Sequence, residues 1–83
     1  TVHGVIQDKA TSVKLSGVAC LRKSNSIGTI SDNLGLFALI VPIGTIDTLR
    51  FFYPGYKVAE KRIAPSDFEL DLGVIELELA EDE

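Results

Sequence analysis

Aromatic surface, sulfur and histidine are all scarce in this chain. Its 83 residues include no tryptophan, two tyrosines, one cysteine and one histidine. No stretch approaches the ~18 apolar residues of a membrane-spanning helix, and LFALIV, from Leu36 to Val41, falls well short. Cys20 has no disulfide partner within the chain, and in the setting VACLR it reads as a small buried core residue. His3 has no second His, no Cys and no well-spaced carboxylate with which to complete a metal site or a catalytic pair. Positive charge is thin as well, with 8 Lys and Arg against 12 Asp and Glu for a net charge of −4. That balance lacks the clustered basic surface that nucleic-acid binding requires. None of Ser16, Ser24, Ser26, Ser31 and Ser66 sits in a G-x-S-x-G elbow, and the only electropositive neighbour of Cys20 is Arg22, so nucleophilic catalysis has no support.

Apolar residues in short alternating runs are present instead. At 46% hydrophobic the composition is far from that of disorder and calls for neither a metal nor a disulfide to fold. A chain of this length forms one domain that buries about 60% of its unfolded surface. The stretch Thr29 to Tyr56, TISDNLGLFALIVPIGTIDTLRFFYPGY, is the most informative: runs too short for core helices are cut by DNLG, PIGT and PGY. DNLG predicts a hairpin, with Asp32 bonding a backbone N–H two residues on and Gly35 in a left-handed position.

Period two places Val2, Gly4 and Ile6 on one face of a first strand, with His3, Val5 and Gln7 on the other. Val18 and Cys20 point inward from a second strand, and Asn25 and Gly28 are positioned to take φ > 0 in the loop that follows. Phe37, Leu39 and Val41, then Leu49, Phe51 and Tyr53, are the expected inward sets of later strands. Ile75, Leu77 and Leu79 alternate with Glu76 and Glu78 in a half-exposed last strand. A helical turn at Ser66 is the alternative reading of IAPSDFE, but no stretch sustains helical periodicity. About seven strands with connections too short for parallel crossovers predict an all-β fold of two antiparallel sheets packed face to face.

In order, the signals are G-x-x-x-D (Gly4, Asp8), L-x-G-V (Leu15, Gly17, Val18), G-T-x-S-D-x-x-G-x-F (Gly28 to Phe37), V-P-x-G (Val41 to Gly44), L-x-F-x-Y-x-G-Y (Leu49 to Tyr56) and L-G-x-I-x-L (Leu72 to Leu77). This series resembles the carboxypeptidase regulatory-like domain, a transthyretin-like (prealbumin-like) Greek-key β-sandwich also found ahead of the plug of SusC-type TonB-dependent outer-membrane receptors. The resemblance spans nearly the whole chain. It departs in the first turn, where Ser12, Lys14 and Ser16 stand in place of the usual Gly and Pro. It implies a module from a bacterial, most often Bacteroidetes, envelope protein, extracytoplasmic in the periplasm or at the outer membrane, with no catalytic residues of its own. The same fold includes hydroxyisourate hydrolase, but the histidines and the C-terminal Y-R-G-S motif of that enzyme are missing.

The expected organisation is therefore a domain over residues 1–79, cut from a longer protein, with an acidic tail or linker start over 80–83. No enzyme activity, cofactor, metal, nucleic acid or direct membrane insertion is expected. Lys57, Lys61 and Arg62 make a solvated strand face. The acidic tail, Glu76, Glu78, Glu81, Asp82 and Glu83, lacks the glycine-containing, Asp-rich spacing of a calcium loop and reads as an aid to solubility or the start of a linker. The carboxylate pairs Asp67/Glu69 and Glu76/Glu78 have the spacing of solvent-facing strand residues. If the core is as described, Leu21, Leu36, Ile40 and Phe52 point outward and form a candidate interaction face toward a neighbouring domain of the parent chain or another envelope protein. The expected function is a non-catalytic spacer or protein-interaction module; the alternative is a carbohydrate- or peptide-binding domain, for which the aromatic platforms are few.

Overall fold

The computed structural model describes residues 1–66 and 69–80. Alternating apolar residues and turn formers make seven strands: β1 (Val2–Asp8), β2 (Ala19–Arg22), β3 (Gly28–Ile30), β4 (Leu36–Leu39), β5 (Asp47–Phe52), β6 (Ala59–Ile63) and β7 (Leu70–Leu77). They form a three-stranded sheet ordered β4-β1-β7 and a four-stranded sheet ordered β3-β2-β5-β6. The all-β, seven-stranded, two-sheet architecture is as the sequence predicts. β5 returns to pair with β2, and between them the chain crosses from one sheet to the other at the DNLG turn.

One pairing departs from the antiparallel expectation. β1 and β7 run parallel, with Val2 opposite Leu70 and Ile6 opposite Ile75. Short connections exclude a parallel crossover only between consecutive strands; here the crossover is the whole intervening domain. The DNLG turn forms as expected: Leu34 N–H donates to Asp32 Oδ1 at 2.9 Å and Gly35 adopts φ 77°. It does not close a hairpin, however. Ile6 N–H donates to the Gly35 carbonyl, β1 captures β4, and β3 stays in the other sheet.

The core joins Val2, Ile6, Val18, Cys20, Phe37, Leu39, Val41, Leu49, Phe51, Ile75 and Leu77, with Phe37 and Phe51 edge to face at 5.5 Å. Tyr53 is only half-buried, since β5 ends one residue before it. Leu79 is 58% exposed rather than inward, because β7 ends at Leu77 and the chain then crosses to pair with Tyr56. In the β2–β3 loop the left-handed residue is Ser26 (φ 60°), not Asn25 or Gly28. Gly28 is required for a different reason: a Cβ there would lie 2.1 Å from the Cys20 carbonyl oxygen. The possible helical turn at Ser66 runs into residues 67–68 and lies outside the described residues, as do the tail acids Glu81, Asp82 and Glu83.

Ser31 ties two of the motifs together, its own and L-x-G-V. Its buried hydroxyl donates to the Leu15 carbonyl at 2.8 Å and accepts from Val18 N–H at 2.9 Å. Its own N–H donates to the Val18 carbonyl and its carbonyl accepts from Gly17 N–H. The crossing from β1 to β2 is thereby bound to the end of β3. Replacing Ser31 by Ala strands a buried donor and a buried acceptor, and should cost about 1–3 kcal/mol, read as a lower midpoint in chemical denaturation; an unchanged midpoint would refute this role.

Candidate functional site

Among the described residues two carboxylates are buried, Asp8 at the end of β1 and Asp47 at the start of β5. At the pole where β1 ends, Asp8 is buried and accepts from Ala10 N–H at 2.7 Å, from Thr11 N–H at 3.0 Å and from the Tyr56 hydroxyl at 2.5 Å. Tyr56 reaches it because Tyr53-Pro54-Gly55-Tyr56 is a tight turn, closed by Tyr56 N–H to the Tyr53 carbonyl, with Gly55 at φ 84°. The Tyr56 hydroxyl, followed by the Thr11 and Ala10 amides, holds the Asp8 carboxyl below its ordinary value, and the same bond raises the Tyr56 hydroxyl. A shallow groove beside this pair is lined by Asp8, Lys9, Ala10, Glu78, Leu79 and Ala80. A general base at neutral pH needs a raised carboxyl with a free lone pair aimed at the groove; Asp8 is lowered and saturated with donors.

At the opposite pole Asp47 takes an inward position on β5, in line with Leu49 and Phe51. It accepts from the Ser24 hydroxyl at 2.6 Å, from Thr48 N–H at 2.8 Å and from Arg22 Nε at 2.9 Å. The Ser24 hydroxyl foremost, with the Thr48 amide and Arg22, brings the Asp47 carboxyl down to about 2. This buried ion pair pins the β2–β3 loop to the start of β5. The alternation of Asp47 with Leu49 and Phe51 was the signal that could have exposed it: a carboxylate on an inward face needs partners.

The residues singled out by sequence fall as follows. His3 is half-buried on β1, with Nε2 3.1 Å from Glu69 Oε2 and Nδ1 3.9 Å from Asp71 Oδ1. Among the described residues no group of His, Cys, Asp and Glu is arranged to hold a metal ion. Asp67, the other member of the pair with Glu69, lies outside the described residues. Glu76 and Glu78 are both exposed; Glu76 accepts from Gln7 Nε2 and Glu78 pairs with Lys9 at 3.2 Å. Lys61 and Arg62 are exposed on β6, an edge strand of the four-stranded sheet.

The four outward apolar residues do not form one face. Leu36 begins β4 and Ile40 follows it, on the three-stranded sheet; Leu21 and Phe52 are half-buried on β2 and β5 of the other. Sequence alternation gave the correct side for each residue but could not say that the strands belong to different sheets. Each pair has neighbours that went unnoticed. Leu36, Val5 and Val74 stand opposite one another across β4, β1 and β7, making an apolar row bounded by the polar row Lys14, Gln7 and Glu76. On the other sheet Ile30, Ala19 and Phe52 align in the same way.

Asp8 and Asp47 are more readily ionised folded than unfolded, so their contribution to stability is complete above about pH 4 and is lost as pH falls, for Asp47 down through about 2. Tyr56 has the opposite sign: its contribution is complete below its ordinary value of 10.0 and declines as pH rises beyond it. Tyr56→Phe should move the Asp8 carboxyl titration, followed by NMR, to higher pH; an unmoved titration would remove Tyr56 as its main cause. Cys20 is fully buried, and burial pushes its thiol up to about 12. A thiol reagent should therefore label Cys20 only at the rate of unfolding, and rapid labelling of the folded chain would contradict the packing.

No protein-family model matches the sequence, and no curated protein matches it. Among solved structures the chain is similar to one from the complex described as "Crystal structure of Coh3ScaB-XDoc_M2ScaA complex: A C-terminal interface mutant of type II Cohesin-X-Dockerin complex from Acetivibrio cellulolyticus". The TM-score is 0.71 at 15% identity, covering 88% of this chain and 51% of that one. The chain thus spans about half the length of the structure it matches. At that identity the likeness is one of fold: a β-sandwich.

Proposed function

We propose that this chain is a non-catalytic β-sandwich module of a bacterial cell-envelope protein, a spacer or protein-interaction domain that docks a neighbouring domain of its parent chain or another envelope protein. The motif order that resembles the carboxypeptidase regulatory-like domain supports an extracytoplasmic setting, including an outer-membrane nutrient-uptake system. The observation that carries the reading is how the polar residues of that motif series are used. Asp8, Ser31, Asp32 and Tyr56 bond turns and strand ends to one another, which leaves the apolar rows on the outer faces of the sheets as the surfaces available for contact. The solved structure of like fold comes from a protein–protein complex, which is the same class of role. Tyr53 and Tyr56 pack on each other with ring centroids 5.5 Å apart, and the Tyr56 hydroxyl is bonded to Asp8, so neither offers an open sugar-stacking platform.

The coding sequence beyond Glu83 gives the first test: a receptor plug and barrel, or a peptidase, supports the module role, and a chain that ends there opposes it. The second is a binding measurement against the adjacent domain, made separately and titrated calorimetrically. Ile40→Ser and Val74→Ser should each change stability by no more than about 0.5 kcal/mol, since these side chains are 80% and 54% exposed, while weakening that association. Full affinity in both variants would sink the docking role of this face.

A further inference from the structure

The sandwich has four edge strands, and three of them carry features that deter pairing with another chain. β3 is only three residues long. β6 carries exposed Glu60, Lys61 and Arg62, and Lys61 stands on the inward face opposite Leu49, where a lysine resists burial by an incoming strand. β7 carries Asp71 and Glu76 and is broken by a bulge at Gly73, whose N–H donates to Asp71 Oδ1. Its far end is already occupied, with Lys57 N–H bonded to the Glu78 carbonyl and Ala80 N–H to the Gly55 carbonyl.

β4 carries no charge and no bulge of its own, and the one carboxylate at its open edge among the described residues, Asp32, stands at its first residue. The run that begins with β4 and continues past it, Leu36 to Val41, is LFALIV, without charge, proline or glycine, the composition of a segment that pairs readily with its own kind. The Gly35 carbonyl faces β1, where it accepts from Ile6 N–H, so alternation turns the backbone of Leu36, Ala38 and Ile40 toward the open edge. Leu36 is satisfied there by Asp32, which takes its N–H on Oδ1 and donates to its carbonyl. Ala38 and Ile40 are left with their amides and carbonyls directed outward, beside side chains of which Ile40 is 80% exposed and Leu36 45%.

We propose that this edge binds a second copy of the chain, β4 pairing antiparallel with β4 about a two-fold axis to join the two three-stranded sheets as β7-β1-β4 against β4-β1-β7. Charge selects this pairing among those the chain could make with itself. A β7–β7 contact would bring Asp71 and Glu76 of the two copies together, and a β6–β6 contact would bury the inward-facing Lys61 of both copies. Meeting at β4 sets the acidic β7 strands at opposite ends of the joined sheet, which matters for a chain of net charge −4. The contact is isologous and closed, so it ends at a dimer rather than a fibre. It rests on the reading of Leu36 and Ile40 as contact residues and assigns them a partner.

Sedimentation velocity of the 83-residue chain over a concentration series supplies the test. The wild type should pass from monomer to dimer and stop there. Ala38→Pro removes an edge N–H that the β1 ladder does not use, and Ile40→Lys places a charge on the exposed edge; each should weaken the dimer by about tenfold or more while the melting transition of the monomer persists. Lys61→Glu and Glu76→Lys, on the guarded edges, should leave dimerisation unchanged. A wild type that stays monomeric at every concentration, a dimer that survives both β4 variants, or one abolished by the β6 or β7 variants overturns the proposal. A wild type that stays monomeric yet binds the neighbouring domain would overturn this pairing alone and leave the docking role standing.

Discussion

The parallel ladder between β1 and β7 joins the first strand of the chain to the last, and the rest of the sandwich is assembled around it. β1 is the central strand of its sheet: it carries β7 on one side and β4 on the other, and its inward residues Val2 and Ile6 are fully buried. The ladder tolerates one irregularity. Between His3 and Val5 the register slips, and the Gly73 carbonyl passes so close to Gly4 that a Cβ there would lie 2.9 Å away, with the Phe37 ring at 3.0 Å. Glycine at position 4 is thus what allows the bulge and the aromatic core to share one place. A ladder of such long sequence separation carries a high loop-closure cost and belongs to the slower-folding class of topologies.

A buried carboxylate ties the chain at each pole of the sandwich. Asp8, at the close of β1, gathers the following turn and reaches Tyr56; Asp47, beneath the other pole, gathers Arg22, Ser24 and Thr48. Both carboxylates are lowered by donors that saturate them, which is the electrostatic pattern of a structural tie and the reverse of that required of an acid–base catalyst. The residues that make this sequence recognisable are accordingly those that hold the fold: Ser31 against Leu15 and Val18, Asp8 against Tyr56, Gly35 beneath the Ile6 carbonyl. The surfaces proposed for contact with other molecules, the apolar outer rows and the edge of β4, are ones that the motif series does not mark.

Strand positions, inward faces and turns were all legible in the sequence because each depends on neighbours a few residues apart. Alternation placed Phe37, Leu39 and Val41 in the core, and Asp32 with Gly35 formed the expected turn. Leu79 and the β3–β4 connection escaped this logic: the turn is local, but whether its two strands pair is settled by β1, some thirty residues away, competing for β4. The outward set Leu21, Leu36, Ile40 and Phe52 divided between two sheets for the same reason. Ser26 rather than Gly28 takes the left-handed conformation because the crowding at Gly28 comes from β2, which no local rule detects.

By itself the sequence determined an all-β fold, the DNLG turn and the inward side of most strand positions, since these follow from composition and from the two-residue period of extended chain. The tertiary structure alone decided which strands share a sheet, that β1 and β7 run parallel, that Asp8 meets Tyr56 and Asp47 meets Arg22, and which edge is left without a guard. Those are outcomes of long-range pairing, where the identity of the partner depends on the competition among all the strands for backbone hydrogen bonds and on nothing that either partner carries in its own neighbourhood.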